Sequence, residues 1–169
     1  MAKIINVCKE HIPAVRFIGK CYTDKDRVGG GFGHLWGEWF QNGWFDKLEA
    51  LNQVEGIENG YMGFMRCYPD FDYWIGMLLP QGAEIPEGYS SFDMPAGDVG
   101  VCWIQGREDD GSIYSMHEAC LDTLREKGMG EFKIDETSRA FFFERYNCPR
   151  FTTPDENGNV ILDYGIYLA

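Results

Sequence analysis

The sequence predicts an α+β fold: duplicated strand-helix-strand-strand units that form one antiparallel sheet with two helices over one face. Three observations predict it. The candidate elements run strand, helix, strand, strand, and then the same order again. Two segments in matching places carry apolar residues at helical spacing. Short matches recur in the same order: Phe64-Met65-Arg66 falls where Phe143-Glu144-Arg145 falls, and Asp72-Tyr73-Trp74-Ile75 where Asp163-Tyr164-Gly165-Ile166 falls. The 169 residues suit a single domain with pseudo-repeat halves of about 1–88 and 89–169.

Ile12 to Tyr22 reads as the first strand, with Val15, Phe17 and Ile18 apolar. A polar, glycine-rich loop follows over Asp24 to Gly31. Phe32 to Leu51 reads as one helix whose stripe includes Leu35, Trp36, Trp39, Phe40, Trp44 and Leu48. Gly37 and Gly43 weaken it by propensity, which suggests close packing on the sheet. Strands follow at Tyr61 to Tyr68 and Phe71 to Leu79, around a Pro69-Asp70 turn. A short strand over Tyr89 to Met94 and another over Val99 to Gln105 lead to a second helix, Ser112 to Lys127. Ser112 is its expected N-cap and Gly128 its stop. Ala140 to Tyr146 and Val160 to Leu168 are the last strands, with an Asn157-Gly158 turn before the final one.

Composition narrows the function. The net charge of −12 and the absence of a Lys/Arg cluster argue against direct nucleic-acid binding, which needs cations to displace phosphate counterions. No apolar run is long enough to span a membrane, the amino-terminal residues do not form a signal peptide, and six cysteines occur without a C-x-x-C pair. A cytoplasmic location is the expectation. The histidines His11, His34 and His117 are too scattered for a metal site, and no cofactor is expected; Gly29-Gly30-Gly31-x-Gly33 lacks the Lys-Ser/Thr of a P-loop.

Hydrophobic residues make up 44% of the chain and aromatic residues 15%, enough for a core and for an aromatic ligand pocket. The sharpest candidate is Glu144, in Phe141-Phe142-Phe143-Glu144-Arg145-Tyr146. Strand alternation puts Phe142, Glu144 and Tyr146 on one face, and Phe141, Phe143 and Arg145 on the other. A carboxylate among aromatics needs a cation, hydrogen bonds or a raised pKa. Glu144 is therefore either the counter-charge for a cationic ligand or a general acid/base, against the plainer reading of a solvated or ion-paired glutamate. Trp39, Tyr73, Trp103, Tyr164 and Tyr167 are the candidate aromatic walls, each of which would also serve as core.

These residues resemble the GyrI-like effector-binding domains, a family also found fused to bacterial transcription regulators. The resemblance rests on Val15-Arg16-Phe17-Ile18-Gly19, Phe71-Asp72-Tyr73-Trp74-Ile75-Gly76, Met94-Pro95-Ala96-Gly97-Asp98, Phe143-Glu144-Arg145-Tyr146 and Gly165-Ile166-Tyr167-Leu168. It implies a central cavity with Glu144 as its carboxylate and Tyr167 as the tyrosine of the closing strand. That strand usually ends near a proline in the family, whereas here Leu168-Ala169 follows. The resemblance implies multidrug-type binding of aromatic or cationic amphipathic small molecules. Its alternatives are a hydrolase that opens cyclopropane-bearing alkylating natural products, with Glu144 catalytic, and a gyrase-inhibitor-like protein–protein interaction. A homodimer or another protein partner is left open.

Overall fold

A computed structural model describes residues 1–67, 71–136 and 140–169, without the side chain of Cys67. The Pro69-Asp70 turn lies outside the described residues. Eight strands form one antiparallel sheet: β1 (Lys3–Ile12), β2 (Val15–Thr23), β3 (Tyr61–Cys67), β4 (Asp72–Pro80), β5 (Ser90–Met94), β6 (Gly97–Arg107), β7 (Ala140–Tyr146) and β8 (Asn159–Tyr167). Their order across the sheet is β1-β6-β8-β7-β3-β4-β2-β5. The helices are α1 (Gly33–Gln41), α2 (Trp44–Glu49) and α3 (His117–Glu126).

The sheet reads alike from either edge. At its centre β3 lies beside β7 with Phe64 opposite Phe143. Tyr73 of β4 sits opposite Met65, and Tyr164 of β8 sits opposite Glu144. The first strand of each half crosses over: β1 pairs with β6, and β5 with β2. These crossovers dictate the sheet's shape. β1 and β2 are six strand steps apart, about 29 Å across a flat sheet. Only Pro13 and Ala14 join them, a connection of at most about 11 Å. The sheet must therefore curl until its edges approach, and the equally short link from β5 to β6 imposes the same curl.

Each face has its own core. Inside the curl, Phe17, Met62, Phe64, Phe143 and Tyr167 pack together, all buried. On the outer face the helices pack through Leu35, Trp39, Phe45, Leu48, Cys120 and Leu124 onto residues such as Ile18, Ile75, Cys102 and Ile166. At one end of the interior lies an ion cluster. Arg145 is fully buried, donates from Nε to Asp163 at 2.9 Å, and grips both oxygens of Glu10 at 3.0 Å. Arg150 joins Asp163 at 2.6 Å and Glu58 at 2.5 Å. A buried cation needs this many acceptors to offset lost hydration.

Several elements differ from the sequence expectation. Residues 3–12 form a full strand, so Ile12 closes β1 rather than opening β2. The long first helix is two: Gly43 takes φ 64, left-handed backbone that interrupts the helix after Asn42. A methyl group placed on Gly37 would meet nothing within 4 Å, so Gly37 does not serve sheet packing. Ser112 begins a 3-10 turn over Ser112–Ser115 rather than capping an α-helix, and α3 begins at His117 after Met116. Gly128 does end α3: with φ 80, it bonds through its N–H to the Arg125 carbonyl at 3.1 Å, while Met129 bonds that of Leu124 at 2.8 Å. Among the described residues no helix is long and apolar enough to cross a membrane.

Candidate functional site

Because helices cover the outer face from both sides, the middle of the sheet between them lies at the floor of a cavity of about 840 Å³. The floor comes from the central strands: Met65 on β3, Tyr73 on β4, Phe142, Glu144 and Tyr146 on β7, and Tyr164 on β8. Register explains the set, since alternate residues of adjacent antiparallel strands share a face. Gly63, opposite Glu144, leaves space that the floor requires: a Cβ there would stand 2.6 Å from the Tyr73 hydroxyl oxygen.

Glu144 is enclosed by protein yet only half-buried, because part of its surface opens onto the cavity. Burial pushes its carboxyl up to about 7, against the opposing effect of a hydrogen bond that the Tyr146 hydroxyl donates to Oε2 at 2.9 Å. Among the described residues, no cationic side chain pairs with it. Around it stands a group of phenols and an indole. Trp36 donates from Nε1 to the Tyr73 hydroxyl at 2.8 Å. Burial followed by the nearby carboxylates holds the Tyr73 and Tyr114 phenols neutral, well above their ordinary value. Trp36 also meets the Tyr146 ring edge-on, with centroids 4.7 Å apart.

A second polar corner contains His117, which bonds the Tyr164 hydroxyl through Nδ1 and contacts the Phe142 ring. Burial lowers the His117 pKa below its ordinary 6.5 and favours neutral imidazole. Toward the loop that precedes α1, Phe32 stacks on Tyr73 with centroids 4.2 Å apart. Arg27 lies over Phe32 and Phe71 and pairs with Asp24 at 2.7 Å.

Of the sequence candidates, the cavity brings together Glu144, Tyr73 and Tyr164. Trp39, Trp103 and Tyr167 do not line it. Trp39 is fully buried under α1, where its indole donates to the Tyr22 hydroxyl at 3.0 Å. Trp103 is on the inner face, and Arg150 stacks on it at 4.1 Å. Tyr167 is also inside the curl, beside Phe64 and Phe143. Parity gives the reason: Trp103 and Tyr167 are each an odd number of residues from the cavity-facing Ile104 and Tyr164 of their strands.

The floor and wall also include residues outside that candidate set, chiefly Tyr146, Trp36, Phe142 and Tyr114. Tyr146 and Phe142 had an available signal, since each is two positions from Glu144 on a strand. Trp36 and Trp39 lie on one helical stripe, and only the rotation of α1 decides which reaches the cavity.

No protein-family model matches the chain, and no curated protein matches it. Solved structures do. The chain is similar to the SAV2435 protein bound to tetraphenylphosphonium, with a TM-score of 0.65 and 15% identity over 98% of this chain and 94% of that one. It is similar to a candidate bacterial transcription regulation protein of Staphylococcus aureus MU50, with a TM-score of 0.62 and 15% identity over 96% and 97% of the two chains. An integron cassette protein from the mobile metagenome of Vibrio cholerae matches more distantly, with a TM-score of 0.50 and 10% identity over 99% of each chain. At these identities the likeness concerns the fold.

Proposed function

We propose that this protein binds lipophilic aromatic cations in the cavity between its helices, with Glu144 as the counter-charge, as a multidrug-type effector-binding domain of the GyrI-like kind. The observation that carries the reading is Glu144 itself: a carboxylate deep among aromatic rings, facing the cavity, with no cation beside it among the described residues. A lipophilic cation would supply the missing charge, and the faces of Trp36, Tyr73 and Phe142 would add stacking and cation–π contact. The cavity is within the usual size for a drug-sized ligand. A structural relative carries tetraphenylphosphonium, an aromatic cation.

Titration calorimetry with tetraphenylphosphonium tests this. Binding of one cation per chain is expected, weakened at least about ten-fold in Glu144→Gln, the scale of a charge-assisted contact. An unchanged affinity in that variant would remove the counter-charge role, and no binding at all would remove the reading.

One observation also favours an enzyme. A carboxyl held up to about 7 is suited to giving or taking a proton near neutral pH. Incubation with a cyclopropane-bearing alkylator, followed by mass spectrometry, tests hydrolysis; no ring-opened product while tetraphenylphosphonium still binds leaves the protein a binder.

A further inference from the structure

The cavity has a second carboxylate, for which a singly charged ligand has no use. Glu108 follows β6, is exposed, and lines the same cavity as Glu144. Tyr114 stands near both. Its hydroxyl donates to Glu108 Oε1 at 3.4 Å, and Tyr146, another phenol of the lining, donates to Glu144 at 2.9 Å. Beyond burial, the charges of both Glu108 and Glu144 raise the Tyr114 pKa, so both are close to the same phenol.

The cationic side chains of the lining do not cancel this pair. Arg27 is engaged by Asp24 at 2.7 Å and by the Gly30 carbonyl at 2.9 Å. Burial holds His117 toward its neutral form. Among the described residues neither Glu108 nor Glu144 has a basic partner. The cavity therefore has a negative pole in its depth, another at its mouth, and aromatic surface between them.

Resting on the cation-binding reading above, we infer that this cavity is a two-pole site for flat aromatic dications, with one positive centre at Glu144 and the other at Glu108. The inner pole, sheltered from water, supplies most of the attraction; the outer pole, exposed, adds a smaller increment and selects for the second charge.

Two probes of nearly equal shape test it: the monocation 1-methyl-4-phenylpyridinium and the dication 1,1′-dimethyl-4,4′-bipyridinium. Each is titrated into the full chain by calorimetry at low ionic strength, with tetraphenylphosphonium as reference. The dication is expected to bind at least about three-fold tighter, the increment of one exposed charge pair. Glu108→Gln is expected to bring the two probes level while changing monocation affinity by less than about two-fold. Glu126→Gln, at the exposed end of α3, is expected to keep the preference, which controls for the overall charge of −12.

Equal affinities in the unaltered protein would overturn the inference. So would a preference that Glu108→Gln leaves intact, or one that Glu126→Gln removes equally. If tetraphenylphosphonium binds and neither probe does, only the two-pole site fails. If tetraphenylphosphonium also fails to bind, the cation-binding reading fails with it.

Discussion

Lowering the pH from about 8 to about 5.5 should weaken tetraphenylphosphonium binding about 30-fold, because Glu144 then takes up a proton. The ligand has no titrating group, so the dependence belongs to the protein. Burial pushes the free Glu144 carboxyl up to about 7. A bound cation beside the carboxylate favours its charged form and lowers its pKa well below the free value. Between the two values, protonation competes with the ligand. Unliganded stability runs in the opposite direction, since the protonated form that loses the cation is the one the fold favours. The folded value lies above the ordinary 4.5, so the stabilisation is complete below 4.5 and is lost as the pH rises through about 7. The loss is about 3 kcal/mol at the alkaline end. Calorimetry across the pH range measures the first effect, and urea denaturation measures the second. Glu144→Gln should flatten both profiles. His117 also gains positive charge in acid and would oppose a cation. If the slope persists in Glu144→Gln and disappears in His117→Gln, the assignment to Glu144 is refuted.

Gly63→Ala should drive the Tyr73 phenol from its place, costing about 1–3 kcal/mol of stability and weakening tetraphenylphosphonium binding; thermal melts and calorimetry read the two effects. Trp39→Phe should lose the bond to Tyr22, cost about 1 kcal/mol in urea denaturation, and leave cation affinity unchanged, since Trp39 is core rather than wall. Asp163→Ala should cost about 3–5 kcal/mol by leaving buried Arg145 without its central carboxylate, whereas replacing Arg145 and Asp163 together by Met and Leu should cost less. Tyr167→Phe should be neutral or stabilise by up to about 1 kcal/mol, because among the described residues the buried Tyr167 hydroxyl has no hydrogen-bond partner.

How far these features were legible depends on how local their causes are. Glu144 could be read as facing an aromatic environment because alternation along one strand is a local property, and its neighbours Phe142 and Tyr146 share that face. The matches of Met65 with Glu144 and Tyr73 with Tyr164 follow from element order and reappear in the register about the sheet's centre. β1 was obscured because a register shift between Ile4 and Asn6 breaks the alternation that marks a strand. Assigning Trp103 and Tyr167 to a wall required knowing which way each strand faces after the sheet curls. That depends on pairing between residues far apart in sequence. The break at Gly43 is local, but a glycine within a continuous apolar stripe does not declare whether it bends the helix or merely weakens it.

The crossing of strands between halves governs how the chain can be made. β1 finds its hydrogen-bonding partner in β6, with Lys3 opposite Gln105. During synthesis at about 5–20 residues per second, β1 stays without that partner for roughly 5–20 seconds. Through that interval its backbone offers an open template to any neighbouring strand. Lys3, Lys9, Glu10 and His11 charge or polarise it along its length. These side chains thus act as a safeguard against pairing with the wrong molecule until β6 has been made.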